Sequence, residues 1–233
     1  MKIPKVLVFT ITYEGKDYCF DEFKEQVSKL NYPNFRHIWI DNSKTLDYVK
    51  KLESEGLDAY HVDRGNNTRE ALARSQNFAR KIAIEEGYDY ILSLESDLFD
   101  VPSNIIQHLI SQAKEMVGCF YLIGDKDYRR PCVTVNKEAG DSGLVGTRLL
   151  NQQESADILQ HKGLHAVNGC GLGCTLIARE VFEKIGFMYY PDLKAHSDVF
   201  FANAVWENGF RVFLDSTIVL DHKNVPWSGV EDR

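Results

Sequence analysis

The sequence predicts an α/β fold: a single domain with a mostly parallel central sheet flanked by helices, and a smaller antiparallel element in the C-terminal half. Three observations predict it. Short apolar runs at Lys5 to Thr12, Phe35 to Asp41, Asp58 to Val62 and Tyr90 to Leu94 alternate with stretches of helical period, the pattern of strand–helix–strand units. Runs such as Val6 to Ile11 and Tyr90 to Leu94 are almost continuously apolar, as strands covered on both faces are. Beyond residue 123 the alternation breaks down and strand-like segments rich in glycine take over. No Pro/Gly/Ser-rich linker, repeat or low-complexity tract divides the 233 residues.

The first run, Lys5 to Thr12, delivers Thr10 and Thr12 at its end. Asp17 to Leu30 carries Phe20, Phe23, Val27 and Leu30 at helical spacing, and Asn31-Tyr-Pro-Asn34 breaks the helix before the second strand. That strand ends in an acid, Asp41, with Ser43 set to cap a helix over Lys44 to Glu55. After the third strand, Asn67 to Glu70 has capping-box spacing at the head of a helix over Thr68 to Glu86. Its stripe of Ala71, Ser75, Phe78, Ala79, Ile82 and Ala83 packs on the sheet. Arg69, Arg74 and Asn77, in its first half, overhang the carboxyl ends of the strands. Arginine suits bidentate phosphate contact, and a solvated face is the plainer alternative for each of these residues.

The fourth strand stops abruptly at Glu95-Ser96-Asp97. Acids at the carboxyl end of such a strand face a crevice rather than the core, and two oxygen ligands at i and i+2 suit a divalent cation that also binds substrate phosphate. A helical stretch, Pro102 to Met116, and a buried strand, Val117 to Ile123, follow. Gly124 to Gly146 is rich in Asp, Lys, Arg and Gly, with short possible strands at Cys132 to Val135 and Leu144 to Thr147, and reads as a mobile or acceptor-covering region. His165 to Ile177 is strand-like, and Ala178 to Ile185 is helical. His196-Ser-Asp198 opens a helix over Val199 to Asn208, after which two strands, Phe210 to Leu214 and Thr217 to Leu220, lead to Asp221-His222.

A formal charge of −7 argues against generic binding of nucleic acid, whose affinity depends on neutralising phosphates. Cys19, Cys119, Cys132, Cys170 and Cys174 are an odd, scattered set that suits reduced thiols, and Cys170 and Cys174 lack Cys-x-x-Cys spacing. No apolar run approaches the ~18 residues of a membrane span and no signal-peptide core stands at the N-terminus, so a soluble, cytoplasmic protein is expected.

Together these pieces resemble GT-A glycosyltransferases, most closely the family 2-like enzymes that use nucleotide-sugar donors. Asp41-Asn-Ser43 is similar to the family's element that contacts base or ribose, and the helix holding Arg69, Arg74 and Asn77 resembles its Ala-Arg-Asn helix. Glu95-Ser96-Asp97 stands where an Asp-x-Asp motif is found, with Glu in place of the first Asp. Val167 to Gly186 is similar to the glycine-rich strand and helix near the acceptor. Ser197-Asp198 resembles the Glu-Asp helix whose Asp is the usual base, with Ser in place of Glu, and His222 matches the late metal-binding histidine.

The resemblance implies a nucleotide-sugar-binding half (1–123) and an acceptor and catalytic half (124–233). It implies donor binding by Thr10, Thr12, Asp41, Arg69, Arg74, Asn77, Glu95 and Ser96, and Mn2+ (or Mg2+) on Asp97 and His222. Asp198 would be the base of an inverting transfer from a nucleotide-diphosphate sugar to an acceptor hydroxyl of unknown kind. An imidazole among oxygen ligands favours manganese. A helix cap is the alternative for Asp198 and a satisfied strand-end histidine the alternative for His222. A nucleotidyltransferase and a non-catalytic sugar- or nucleotide-binding protein are the rival functions.

Overall fold

A computed structural model describes residues 2–124, 129–136 and 147–223. The N-terminal half alternates as expected: β1 (Val6–Thr12), α1 (Phe20–Ser28), β2 (Phe35–Asp41), α2 (Asp47–Ser54), β3 (Ala59–His61), α3 (Thr68–Glu85) and β4 (Tyr90–Leu94). A two-residue strand, β5 (Leu98–Phe99), then precedes α4 (Ile105–Ser111) and β6 (Met116–Gly124). The C-terminal half holds β7 (Arg129–Pro131), β8 (Val133–Asn136), β9 (Thr147–Leu149), α5 (Gln152–Gln160), β10 (Leu164–Val167), β11 (Gly169–Cys170), β12 (Cys174–Ala178), α6 (Arg179–Lys184), α7 (Ser197–Glu207) and β13 (Val212–His222).

The main sheet runs β3-β2-β1-β4-β12-β6-β13-β10, with β7 beside β6 and β5 beside β13, and β11-β8-β9 form a separate antiparallel sheet. The first four strands are parallel, as are β6 and β13, whereas β12 lies antiparallel between β4 and β6. Alternate residues of each strand serve opposite faces. From β1, Leu7 and Phe9 join Ala79 and Ala83 of α3, Phe182 of α6 and Phe201 of α7, while Val6 and Val8 join Phe23, Trp39, Leu52 and Ile105 on the other face. Both faces are covered, which is why the strands read as nearly continuous apolar runs.

Several expectations need correction. The helix placed over Asp17 to Leu30 is a 3-10 helix, Glu14–Cys19, followed by α1. The helix expected to Met116 stops at Ser111, and Ala113 takes a left-handed φ of 51° beyond it. The strand-like run His165 to Ile177 is split into β10, β11 and β12. The two final strands are one strand, β13, whose register against β6 shifts between Asp215 and Val219. Strand β5 and helix α5, which starts with a full capping box of Asn151 and Glu154, were not anticipated. Of the possible strand Leu144 to Thr147, only Thr147 lies within the described residues.

Phe23 is fully buried and sits edge-on to both Trp39 and Phe99, with ring centroids 5.5 and 6.5 Å apart. Phe23→Ala is therefore expected to lower stability by about 3–5 kcal/mol in chemical denaturation. A loss below about 1 kcal/mol would mean that this face collapses to fill the gap.

Candidate functional site

Where β4 ends, the Glu95 N–H donates to the Gly173 carbonyl (2.7 Å) and the Leu98 N–H to the Glu95 carbonyl (3.2 Å), so Glu95-Ser96-Asp97 forms a tight turn at the carboxyl edge of the sheet. Strand β5 then pairs with the end of β13, setting Leu98 opposite His222, and the Lys223 N–H donates to the Asp97 carbonyl (2.9 Å). Glu95, Asp97 and His222 thereby converge, with one ligand atom from each lying within 4.8 Å of the others. The His222 Nε2 is 3.4 Å from Asp97 Oδ2 and 3.9 Å from Glu95 Oε2.

This donor set fits a divalent cation. Asp97 Oδ1 is buried and has no hydrogen-bond partner among the described residues, a costly state for a carboxylate oxygen that a cation would relieve. Two carboxylates and an imidazole suit Mn2+ or Mg2+ better than soft metals. Sequence reasoning missed a further member of the group. Lys16, on the 3-10 helix after β1, donates its ammonium to Asp97 Oδ2. The only sequence signal was a lone cation just past the end of β1, hidden by reading a regular helix from Asp17.

Electrostatics binds the cluster together. Burial alone would raise the Asp97 pKa, but the hydrogen bond from His222 and the positive charge of Lys16 prevail and hold it below the usual carboxylate range. Burial opposes charging of His222, yet Asp97 and then Glu95 raise its pKa above the ordinary imidazole value of 6.5. Glu95 moves the other way, pushed up by burial and by the charge of Asp97.

Asp198 lies in the first turn of α7, but the N-cap position belongs to His196. Its Oδ1 accepts the adjacent Val199 N–H (2.8 Å), and its Oδ2 is 4.0 Å from Cys132 Sγ. Burial raises its pKa, with His196 opposing. The carboxyl lines a cavity of about 620 Å³ together with Cys132, Thr134, Gly169, Gly171 and Val199. Tyr121 stands between Gly171 of this cavity and the acidic cluster: a Cβ on Gly171 would meet its hydroxyl, which accepts the Gly173 N–H (3.0 Å), and its ring centroid is 5.7 Å from that of His222.

Other expected site residues lie elsewhere in the fold. Thr10 is fully buried and bonds the Leu94 carbonyl (2.8 Å) and His37 Nε2 (2.9 Å), and Thr12 is buried opposite Asp41 in the β1–β2 register. Asp41 is fully buried, accepting Ser43 N–H and Oγ–H on Oδ1 while Oδ2 meets His61 Nδ1 at 3.0 Å. Ser43 and His61 in turn line a second cavity of about 310 Å³ with Lys44, Asp63 and Arg64. Asn77 clasps the Phe187 backbone through both side-chain atoms, Arg69 donates to the Leu193 carbonyl, and Arg74 pairs with Asp63 and Glu70. All three tie α3 to its surroundings. Ser96 is buried, and its Oγ has no partner among the described residues.

Metal ligands must shed their protons, so Mn2+ affinity measured by calorimetry is expected to climb as pH rises through the His222 pKa, which Asp97 and Glu95 raise. Asp97→Ala should reduce that affinity at least about tenfold, or about 1.4 kcal/mol. A pH-independent affinity, or one unchanged in the variant, would place the cation elsewhere.

No family model and no curated relative matches the sequence. Solved structures do match in shape. A mannosyltransferase from Pyrobaculum calidifontis, PcManGT, in complex with GDP-Man and Mn2+, superposes with a TM-score of 0.61 over 98% of this chain at 16% identity. GalNAc-T7 with UDP, GalNAc and Mn2+ gives 0.63 over 95% at 15% identity, and S. aureus TarS gives 0.59 over 94% at 14%. The chain spans only 59%, 44% and 37% of those proteins' lengths, respectively. Likeness in shape across nearly the whole chain, with the β3-β2-β1-β4 parallel core, gives this protein a GT-A-like fold.

Proposed function

We propose that this chain is a metal-dependent glycosyltransferase that moves a sugar from a nucleotide-diphosphate donor to an acceptor hydroxyl with inversion. The observation that carries the reading is the pairing of a cation-competent cluster, Glu95, Asp97 and His222, with a cavity lined by a carboxyl of raised pKa, Asp198. Two similar structures hold Mn2+ together with a nucleotide or nucleotide sugar, which supports the same use here.

The nucleoside would occupy the smaller cavity beside Ser43 and His61, both oriented by the buried Asp41. The diphosphate would then extend toward Asp97, where Mn2+, when bound, supplies Lewis-acid stabilisation of the charge on the departing group. Lys16 adds a fixed positive charge at the same edge. Asp198 accepts the acceptor hydroxyl proton as that oxygen bonds the anomeric carbon and the bond to the diphosphate breaks. A carboxyl made more basic by burial suits this task better than a fully solvated one. Arg69, Arg74 and Asn77 would join the donor site only by exchanging their present partners.

Because His196 holds the cap position, Asp198→Asn retains the acceptor for the Val199 N–H, and the fold should be nearly as stable as before. Sugar transfer is expected to fall about 10²- to 10⁴-fold at nearly constant donor affinity. Near-normal transfer would remove Asp198 from the chemistry, and release of pyrophosphate in place of sugar transfer would point to nucleotidyl transfer. His61→Ala, by contrast, should weaken binding of a nucleoside diphosphate while leaving Mn2+ affinity unchanged. Equal nucleotide affinity in parent and variant would argue that the nucleoside lies outside that cavity.

A further inference from the structure

We propose that Lys16 is a built-in competitor of the divalent cation: its ammonium occupies Asp97 when no metal is bound and gives way when one binds. The proposal rests on the reading of Glu95, Asp97 and His222 as a cation site, and not on sugar transfer itself.

Ion pairs at a protein surface are usually weak, and this one differs in its anion and in its mounting. Asp97 is only 3% exposed. Lys16 and His222 both address the same atom, Oδ2, while Oδ1 has no hydrogen-bond partner among the described residues. A buried anion needs positive charge beside it, and Glu95 can only add negative charge. The nearby Lys223 is engaged elsewhere, its ammonium paired with Glu22 and 4.1 Å from the centroid of the Phe99 ring.

The segment that carries Lys16 is tied to three parts of the site. On the 3-10 helix Glu14–Cys19, the Glu14 N–H donates to Ser43 Oγ (2.9 Å), at the smaller cavity. The Cys19 thiol faces the Ser96 carbonyl (3.3 Å), in the acidic turn, and the Tyr18 hydroxyl donates to the Lys223 carbonyl (3.0 Å), next to His222. Gly15 permits the close turn just before Lys16, since a Cβ there would come within 2.3 Å of the Tyr13 ring. Both segments that carry cation ligands are thus clamped to the helix that brings Lys16 to Asp97.

Two positive charges on one carboxylate oxygen repel each other, so Lys16 and a divalent cation each weaken the other's hold on Asp97. Lysine is suited to yielding, because its charge is a point at the end of a flexible stem, unlike the planar fork of arginine. Without metal, the ammonium keeps the buried carboxylate neutralised and in place. With metal, the clamped helix keeps the released ammonium at the same edge of the sheet. Affinity for the cation is then lower than the same three ligands would give without the lysine.

The test is calorimetric titration with Mn2+ alone on the parent, Lys16→Met, Lys16→Arg and Asp97→Ala, at about pH 8, where His222 holds fewer protons than at neutrality. Lys16→Met nearly keeps the side chain's length and removes its charge, and should bind Mn2+ at least about tenfold more tightly than the parent. Lys16→Arg keeps the charge and should show no such gain. Circular dichroism checks that each variant is folded. A second measurement needs no variant at Lys16: in parent protein labelled with 15N-lysine, the Lys16 Nζ signal should move as diamagnetic Mg2+ is added.

Mn2+ affinity equal or weaker in Lys16→Met would overturn the proposal, as would a Lys16 signal that stays still while Mg2+ binds. In either case, loss of Mn2+ binding in Asp97→Ala would leave the cation site itself standing. No Mn2+ binding in the parent or in Lys16→Met would overturn both the cation site and the competition for it.

Discussion

Two residue pairs in one short antiparallel ladder, Leu98 with His222 and Phe99 with Asp221, hold the chemistry of this fold together. The acidic turn belongs to the fourth strand and the histidine to the last, so neither segment alone makes a cation site. The ladder, closed by the Lys223 N–H on the Asp97 carbonyl, joins them at a sheet edge where backbone pairing fixes both positions. Leu98 and Phe99 are buried beneath it, so the same two residues that align the site also anchor it in the core. A cluster built this way is preorganised by secondary structure rather than by loop packing.

Charge balance constrains the cluster as firmly as geometry does. Asp97 is buried and would be costly as an isolated anion, and His222 and Lys16 both supply positive charge to the same oxygen. Glu95, with 39% of its side chain accessible, stands at the rim, where the charge of Asp97 disfavours its ionisation while His222 and Lys16 favour it. A divalent cation bound here would compete with Lys16 for the Asp97 carboxylate.

Much of this was legible in the sequence because the parallel core writes its burial plainly. Tyr90 to Leu94 and Phe35 to Asp41 were bounded to the residue, since strands covered on both faces are apolar until they end and the ending acids mark the edge. The C-terminal half was harder to read. Apart from β13 its strands are short, and its glycines serve close approach: a Cβ on Gly173 would come within 2.7 Å of Leu98 and 2.8 Å of Tyr121, a tertiary fact with no periodic signature. The acids and histidine of the cluster were visible as motifs, whereas Lys16 and Tyr121 were not, because nothing local distinguishes them. The roles expected of Asp41 and Asn77 took no account of how buried or occupied their side chains are.

The irregularity in β13 bears on how far His222 extends. Asp215 faces Cys119 and Val219 faces Phe120, so residues 216–218 bulge out of the pairing with β6. Asp215 holds the detour by accepting the Thr217 N–H (2.9 Å) and Oγ–H (2.6 Å) on one oxygen and meeting His108 Nε2 (2.6 Å) with the other. Three residues of strand span about 10 Å, so a strand that ran straight would carry its histidine that far beyond the turn that holds Asp97. The bulge is thus a length gauge for the histidine. A one-residue deletion there would be felt at the opposite end of the strand, as a histidine out of reach of its carboxylates.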